Sequence, residues 1–157
     1  MKRLLLLLVG MFLAACGGSN NTNPNPGPTN YTPQYVGTYS GTYSFSFTSS
    51  TTGQVFNSTY SVAFQVAAGP NINDLVWGGS CGLDGHASDA SNFITFQTTC
   101  TTHDPGTNCD YVYYFQAGTG TKNGNSMTLS ISGTATANCP TGSDSGPMTI
   151  VYHMTKV

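Results

Sequence analysis

Apolar and polar residues alternate with a period of two along most of the chain after residue 36, and this pattern restricts the fold more than any other feature. Successive side chains of a β-strand point to opposite faces, so the alternation predicts strands that are buried on one face only. No window shows the 3.6-residue apolar period of an amphipathic helix. Seven alternating runs occur, at residues 37–47, 54–67, 75–83, 94–100, 109–115, 127–137 and 148–154.

The number of runs and the short turns between them predict the architecture. Glycines at positions 78, 79 and 82 interrupt the third run, where one strand can bend and count as two. A sheet this long with one apolar face either closes into a barrel or folds into two layers. We expect an all-β domain, an antiparallel up-and-down meander that closes into a small seven- or eight-stranded barrel.

Charged residues are scarce, which excludes some classes of function. The chain has no glutamate, and Lys122 and Lys156 are the only basic residues after position 3. Nucleic-acid binding needs a basic surface, so we expect no nucleic-acid partner. Serine, threonine and asparagine must supply the polar surface instead, and threonine and asparagine suit strands and turns.

Four cysteines lie within the predicted barrel, and this even number indicates two disulfides if the domain is exported. A fold-back centred near Ala90 places Cys81 opposite Cys100, and a turn centred on Gly124 places Cys109 opposite Cys139. The sequence therefore favours Cys81–Cys100 and Cys109–Cys139. The alternative pairs Cys100 with Cys109 and Cys81 with Cys139.

One short motif matches a catalytic pattern. Gly78-Gly79-Ser80-Cys81-Gly82 fits the G-x-S-x-G sequence of hydrolase nucleophiles. That motif needs a sharp strand-to-helix turn, and no helix is predicted after Ser80. We interpret the glycines as a bend in a strand, and we predict no catalytic residue and no enzyme activity.

A second group of residues has the chemistry of metal ligands but not the spacing of a known site. Cysteine and histidine bind zinc, and carboxylate and amide oxygens bind calcium. An oxidising compartment favours disulfides over thiolates, and the calcium pattern lacks its terminal glutamate. We therefore predict neither a metal nor a cofactor. The residues are Cys100, His103, Asp104, Asn108, Cys109 and Asp110.

The first sixteen residues have the layout of a secretory signal. Lys2 and Arg3 precede an apolar run at residues 4–13, and Leu13-Ala14-Ala15-Cys16 follows. This segment resembles the signal of bacterial lipoproteins, whose lipobox it matches. The apolar run of about ten residues is short of the roughly 20 that a membrane-spanning helix needs. An ordinary signal peptide followed by a chance cysteine is the other alternative.

The lipoprotein resemblance implies a processing route and a location. It implies cleavage before Cys16, lipidation of the Cys16 sulfur and acylation of the new amino terminus. Residues 1–15 are then the signal peptide, residues 16–34 a lipidated cysteine with a proline-rich and asparagine-rich tether, and residues 35–157 the barrel domain. No aspartate follows Cys16, which by analogy with the family indicates the outer membrane of the cell envelope.

Two short segments are similar to lipocalins. Gly37-Thr38-Tyr39 resembles the Gly-x-Trp motif, and Cys109-Asp110-Tyr111 resembles the Thr-Asp-Tyr segment, although the late arginine motif and the C-terminal helix are missing. The resemblance implies a barrel that binds a small apolar ligand. The alternative is a structural or inhibitor-like interaction domain with a filled barrel. Small residues at 133, 135 and 137 leave room for a cavity or for the aromatic residues at 111, 113 and 115.

Overall fold

The computed structural model describes residues 27–79 and 81–157. The predicted signal peptide, the lipidation site Cys16 and the serine Ser80 lie outside the described residues. The elements are α1 (Thr32–Tyr35), β1 (Gly37–Thr48), β2 (Val55–Ala68), β3 (Asp74–Trp77), β4 (Leu83–Ala87), β5 (Asn92–Thr95), β6 (Thr98–Asp104), β7 (Cys109–Phe115), β8 (Gly118–Asn123), β9 (Ser126–Cys139) and β10 (Gly142–Lys156).

Eight of these strands form a closed antiparallel ring. Their order is β10-β1-β2-β3-β4-β5-β8-β9, and pairing between β9 and β10 closes the ring. The predicted all-β barrel is confirmed, with eight strands in the ring. The third alternating run forms two antiparallel strands, because the chain turns back at residues 78–82 and Trp77 pairs with Leu83.

The remaining strands extend the wall at one end of the barrel. We call the end that holds Gly37 and Lys156 the lower end, and the end with the β1–β2 turn the upper end. The hairpin of β6 and β7 continues β5 and β8 upwards and pairs with the upper part of β9. Strand β2 pairs with β3 only at residues 66–68. Above that point, among the described residues, no strand pairs with β2 on the side that faces β6.

The lower end of the barrel is packed with aromatic side chains. Tyr39 and Tyr35 are fully buried, and Phe93 packs between Tyr35 and Trp77 with ring centroids 5.6 and 5.5 Å apart. The Tyr39 hydroxyl donates to the carbonyl of Tyr35, which holds α1 across this end. Burial of these rings closes the lower end and supplies much of the hydrophobic stabilisation.

Contacts with the barrel begin before residue 35, where the predicted domain starts. The backbone N–H of Tyr31 donates to the side chain of Asn73, and the Asn73 amide donates to the carbonyl of Thr29. Thr32 is buried. The last residues of the predicted tether therefore contact the barrel, and α1 lies against β2 and β3. No helix in the described part of the chain has the length and apolarity to cross a membrane.

Both favoured disulfides are present. Cys81 bonds to Cys100 and joins the loop at residues 78–82 to β6. Cys109 bonds to Cys139 and joins the upper ends of β7 and β9. The prediction of their connectivity is confirmed, and the alternative pairing of Cys100 with Cys109 is excluded.

Candidate ligand cavity

A cavity of about 400 Å³ lies inside the barrel above the packed lower end. Its floor is formed by the buried side chains of Trp77, Leu83 and Leu129. Gly78, Gly79 and Cys81 of the β3–β4 loop line it at the side. Ala63 also lines it, although alternation places its side chain on the outer face of β2. The cavity therefore reaches the surface between β2 and this loop.

One wall of the cavity is an aromatic cluster on β10, β1 and β2. Tyr43 pairs with Tyr152 on one side and with Tyr60 on the other. The Tyr43 ring lies 5.1 Å from that of Tyr60 and 5.4 Å from that of Tyr152. Phe64 meets Tyr152 edge-to-face at 6.1 Å. Aromatic pairs at these separations stabilise one another and hold the wall in place.

The opposite wall is a stack of rings on β7. Tyr111, Tyr113 and Phe115 lie on one face of the strand, with successive ring centroids 6.4 and 6.0 Å apart and their planes 10° from parallel. Their partners on β9 are Ala137, Ala135 and Gly133, respectively. The small residues on β9 were expected to leave room either for a cavity or for aromatic rings, and the barrel contains both. The rings of β7 occupy the space above the small residues, and the cavity remains beside them.

The phenols of Tyr43, Tyr113 and Tyr152 line the cavity and are uncharged at neutral pH. Burial, together with the nearby phenol of Tyr43, raises the pKa of Tyr152 to about 12. Burial also raises the pKa of Tyr43 and that of Tyr113. The nearby phenols of Tyr111, Tyr43 and Tyr60 add to the rise in the pKa of Tyr113. No described lining residue is charged, so the site is apolar with neutral hydroxyl groups.

Ser80 lies outside the described residues, and His86, the nearest histidine to it in the sequence, has another partner. His86 lies on the outer face of β4, because the alternate residues Leu83, Gly85 and Ala87 point inward. Its Nδ1 lies 3.1 Å from Oδ1 of Asp74, so that nitrogen is already engaged. This contact is the main cause that lowers the pKa of the partly buried Asp74 carboxyl.

The residues considered as metal ligands have other partners. Cys100 and Cys109 belong to different disulfides, and His103 Nδ1 lies 2.8 Å from Oδ1 of Asp110 across the β6–β7 hairpin. Asp104 accepts hydrogen bonds from Gly106 and Thr107 and so holds the turn of that hairpin. Asn108 has a positive φ of 52° in the same turn. In residues 27–79 and 81–157, no three histidine, cysteine or acidic residues are grouped as metal ligands.

The sequence did not predict where the cavity opens. Alternation identified the inward faces of the strands, but not that β3 and β4 reach only part of the barrel's height. The glycines at positions 78, 79 and 82 carry the available signal, because they end β3 where a longer strand would have covered the opening. The Gly78 N–H donates to the carbonyl of Gln65, which fixes the start of the loop against β2.

Comparison with protein-family models, with curated proteins and with solved structures finds no match to this chain.

Proposed function

We propose that this chain is a lipid-anchored lipoprotein of the bacterial cell envelope whose barrel binds a small apolar ligand. The observation that carries the proposal is the cavity of about 400 Å³ with an aromatic lining and an opening beside β2. Small-molecule sites are typically concave, mostly apolar and 300–1,000 Å³ in volume, with a few polar groups for orientation. The lipobox residues Leu13-Ala14-Ala15-Cys16 support the anchor and the envelope location.

Native mass spectrometry of the chain purified from its own host tests the binding function. A retained small molecule, lost after denaturation, is the expected result. A cavity-filling variant adds a direct link to the site. Val62 lines the cavity, whereas its neighbour Ser61 is exposed on the outer face of β2. Val62→Phe should abolish the retained mass, and Ser61→Phe should keep it. Equal retention by both variants would place the molecule elsewhere.

A second candidate is the protein-interaction domain of the envelope. The upper part of β2 carries exposed apolar side chains, with Val55 54%, Phe56 47% and Tyr60 49% exposed. Unpaired strand edges can accept a strand from another protein. A photo-crosslinker at Val55 that gives a defined adduct in whole cells, with none from the exposed Ser130 on β9, would favour this candidate.

A further inference from the structure

One hydrogen-bond donor beside the cavity has no acceptor. Trp77 is 2% exposed, and its Nε1–H lacks a hydrogen-bond partner among the described residues. The opposite end of the indole packs against β4, since a Cβ built on Gly85 would lie 2.7 Å from Cζ3 of Trp77. A buried donor without a partner is costly, and native structures rarely keep one without a reason. Trp77 lines the cavity. Its Nε1 has less than 1 Å² of accessible surface, so a bound molecule can supply the missing acceptor once a small side-chain movement opens that position.

The lining also restricts the charge of such a molecule. No Asp, Lys or His is among the described lining residues, and the chain has no Glu. A charged group buried in such a site loses its hydration and gains no partner of opposite charge. Tyr43, Tyr152 and Thr102 line the cavity, and their side chains carry neutral hydroxyl groups.

The composition of the lining favours a ligand with an aromatic ring. Besides Trp77, seven aromatic side chains line the cavity, namely Tyr43, Phe45, Tyr60, Phe64, Tyr113, Phe115 and Tyr152. Aromatic rings attract one another in offset-stacked and in edge-to-face arrangements, and a rigid ring loses little conformational entropy on binding.

We infer that the ligand is an uncharged ring compound that carries a hydrogen-bond acceptor for Trp77 Nε1–H. This inference rests on the proposed function, because it uses the same cavity. It goes further in naming the ligand's charge, its aromatic ring and the group that orients it. Trp77 is then a specificity residue as well as part of the core.

Three related probes separate these features. 2-Acetylnaphthalene is neutral and has an acceptor, 2-ethylnaphthalene has a similar shape without one, and 2-naphthoate is an anion. The full chain is held in phospholipid nanodiscs, and empty nanodiscs are the blank. We expect both neutral probes to bind, and 2-naphthoate to bind at least about a hundredfold more weakly than 2-acetylnaphthalene.

The role of Trp77 is measured by comparing the two neutral probes in the wild type and in single variants. The preference for 2-acetylnaphthalene over 2-ethylnaphthalene should fall about tenfold in Trp77→Phe, since one hydrogen bond to a buried donor is lost. Val76→Ala is the matched control, because Val76 lies on the outer face of β3. It should leave the preference unchanged.

A second measurement needs no variant. Trp77 is the only tryptophan in the chain, so the ¹H–¹⁵N spectrum has a single indole resonance. 2-Acetylnaphthalene should move its proton downfield, and 2-ethylnaphthalene should not. If Trp77→Phe does not fold, this chemical shift alone tests whether the ligand accepts a hydrogen bond from Trp77.

The outcomes distinguish the two proposals. Binding of the neutral probes with an unchanged preference in folded Trp77→Phe, or with the same indole shift for both, overturns the inference and leaves the binding function standing. Binding of 2-naphthoate as tight as that of 2-acetylnaphthalene does the same. If no probe binds and no molecule is retained from the host, both the inference and the proposed function are wrong.

Discussion

Tyr113 on β7 lies directly opposite Ala135 on β9, and the small side chain of Ala135 leaves the tyrosine ring room to stand against the cavity. The same relation holds one pair lower, where Phe115 faces Gly133. A Cβ at Gly133 would come within 2.0 Å of the carbonyl oxygen of Tyr114, so no larger residue fits there. Small residues on β9 thus determine the position of the β7 wall.

The first prediction concerns this pair. Ala135→Leu should push Tyr113 towards the cavity and lower the free energy of unfolding by about 1–3 kcal/mol, because added methyl groups overpack a filled wall. Urea denaturation measures the loss. Thr134→Leu is the matched control, since Thr134 is exposed on the outer face of β9, and it should change stability little. An Ala135→Leu variant as stable as the wild type would show that the wall is loose.

The second prediction separates the two disulfides by function. Each closes a loop, with sequence separations of 19 and 30, and removing either should cost about 3 kcal/mol. Replacing Cys81 and Cys100 together by serine should also weaken binding of 2-acetylnaphthalene, because this bond holds the loop that lines the cavity. Replacing Cys109 and Cys139 should leave binding unchanged where the domain stays folded. Calorimetric titration at a temperature where both variants are folded measures this, and equal losses of affinity would contradict it.

The confirmed disulfides also show what the sequence could and could not predict. The Cys109–Cys139 pair was expected from a turn centred on Gly124. The β8–β9 turn is in fact centred between Gly124 and Asn125, since Asn123 pairs with Ser126. One extra residue between β7 and β8 shifts the pairing with β9 by one position, so that Asp110 pairs with Asn138. Cys109 and Cys139 therefore lie opposite each other, as predicted. Such an insertion depends on the twist and closure of the barrel, which a local pattern does not contain.

Cys81 and Cys100 are brought together by a loop and not, as expected, by the register of two paired strands. The fold-back is centred on Ala90, as predicted, because Ala87 pairs with Phe93. Continuing that register would place Cys81 opposite Thr99, but the chain leaves the ladder before Cys81 and reaches β6 as a loop. The faces of the strands could be predicted from alternation, whereas the position of the cavity's opening could not. Its opening results from the different lengths of strands that are distant in sequence.

The third prediction concerns alkaline pH. Tyr152 ionises near pH 10 in the unfolded chain and near pH 12 when folded. Between these values the unfolded chain has lost a proton that the folded chain keeps, so the free energy of unfolding falls as pH rises. Tyr152→Phe should reduce this fall by up to about 1.4 kcal/mol for each pH unit. Urea denaturation between pH 9 and about 12 measures the slope. At pH 7 Tyr152 is protonated in both the folded and the unfolded chain, so the loss of stability has not begun there. An alkaline slope that is unchanged in Tyr152→Phe would contradict the prediction.

The fourth prediction concerns the anchor. If Cys16 is lipidated, Cys16→Ser should give a chain that lacks the mass of the lipid and is not processed before residue 16. Intact mass spectrometry of the membrane and soluble fractions makes the measurement. Ser19→Ala, three residues further along the predicted tether, is the control and should be lipidated as in the wild type. A lipid-sized mass on the Cys16→Ser chain would show that Cys16 is not the lipidation site.

The fifth prediction concerns Ser80, which carries the only hydrolase-like motif discussed above. A serine reacts as a nucleophile when a base is placed to remove its proton. His86 is the nearest histidine in the sequence, but it lies on the outer face of β4 with its Nδ1 engaged by Asp74. A fluorophosphonate probe should therefore leave the folded chain unlabelled, as judged by intact mass. Stoichiometric labelling at Ser80 that disappears in both Ser80→Ala and His86→Ala would replace the binding function with that of a hydrolase.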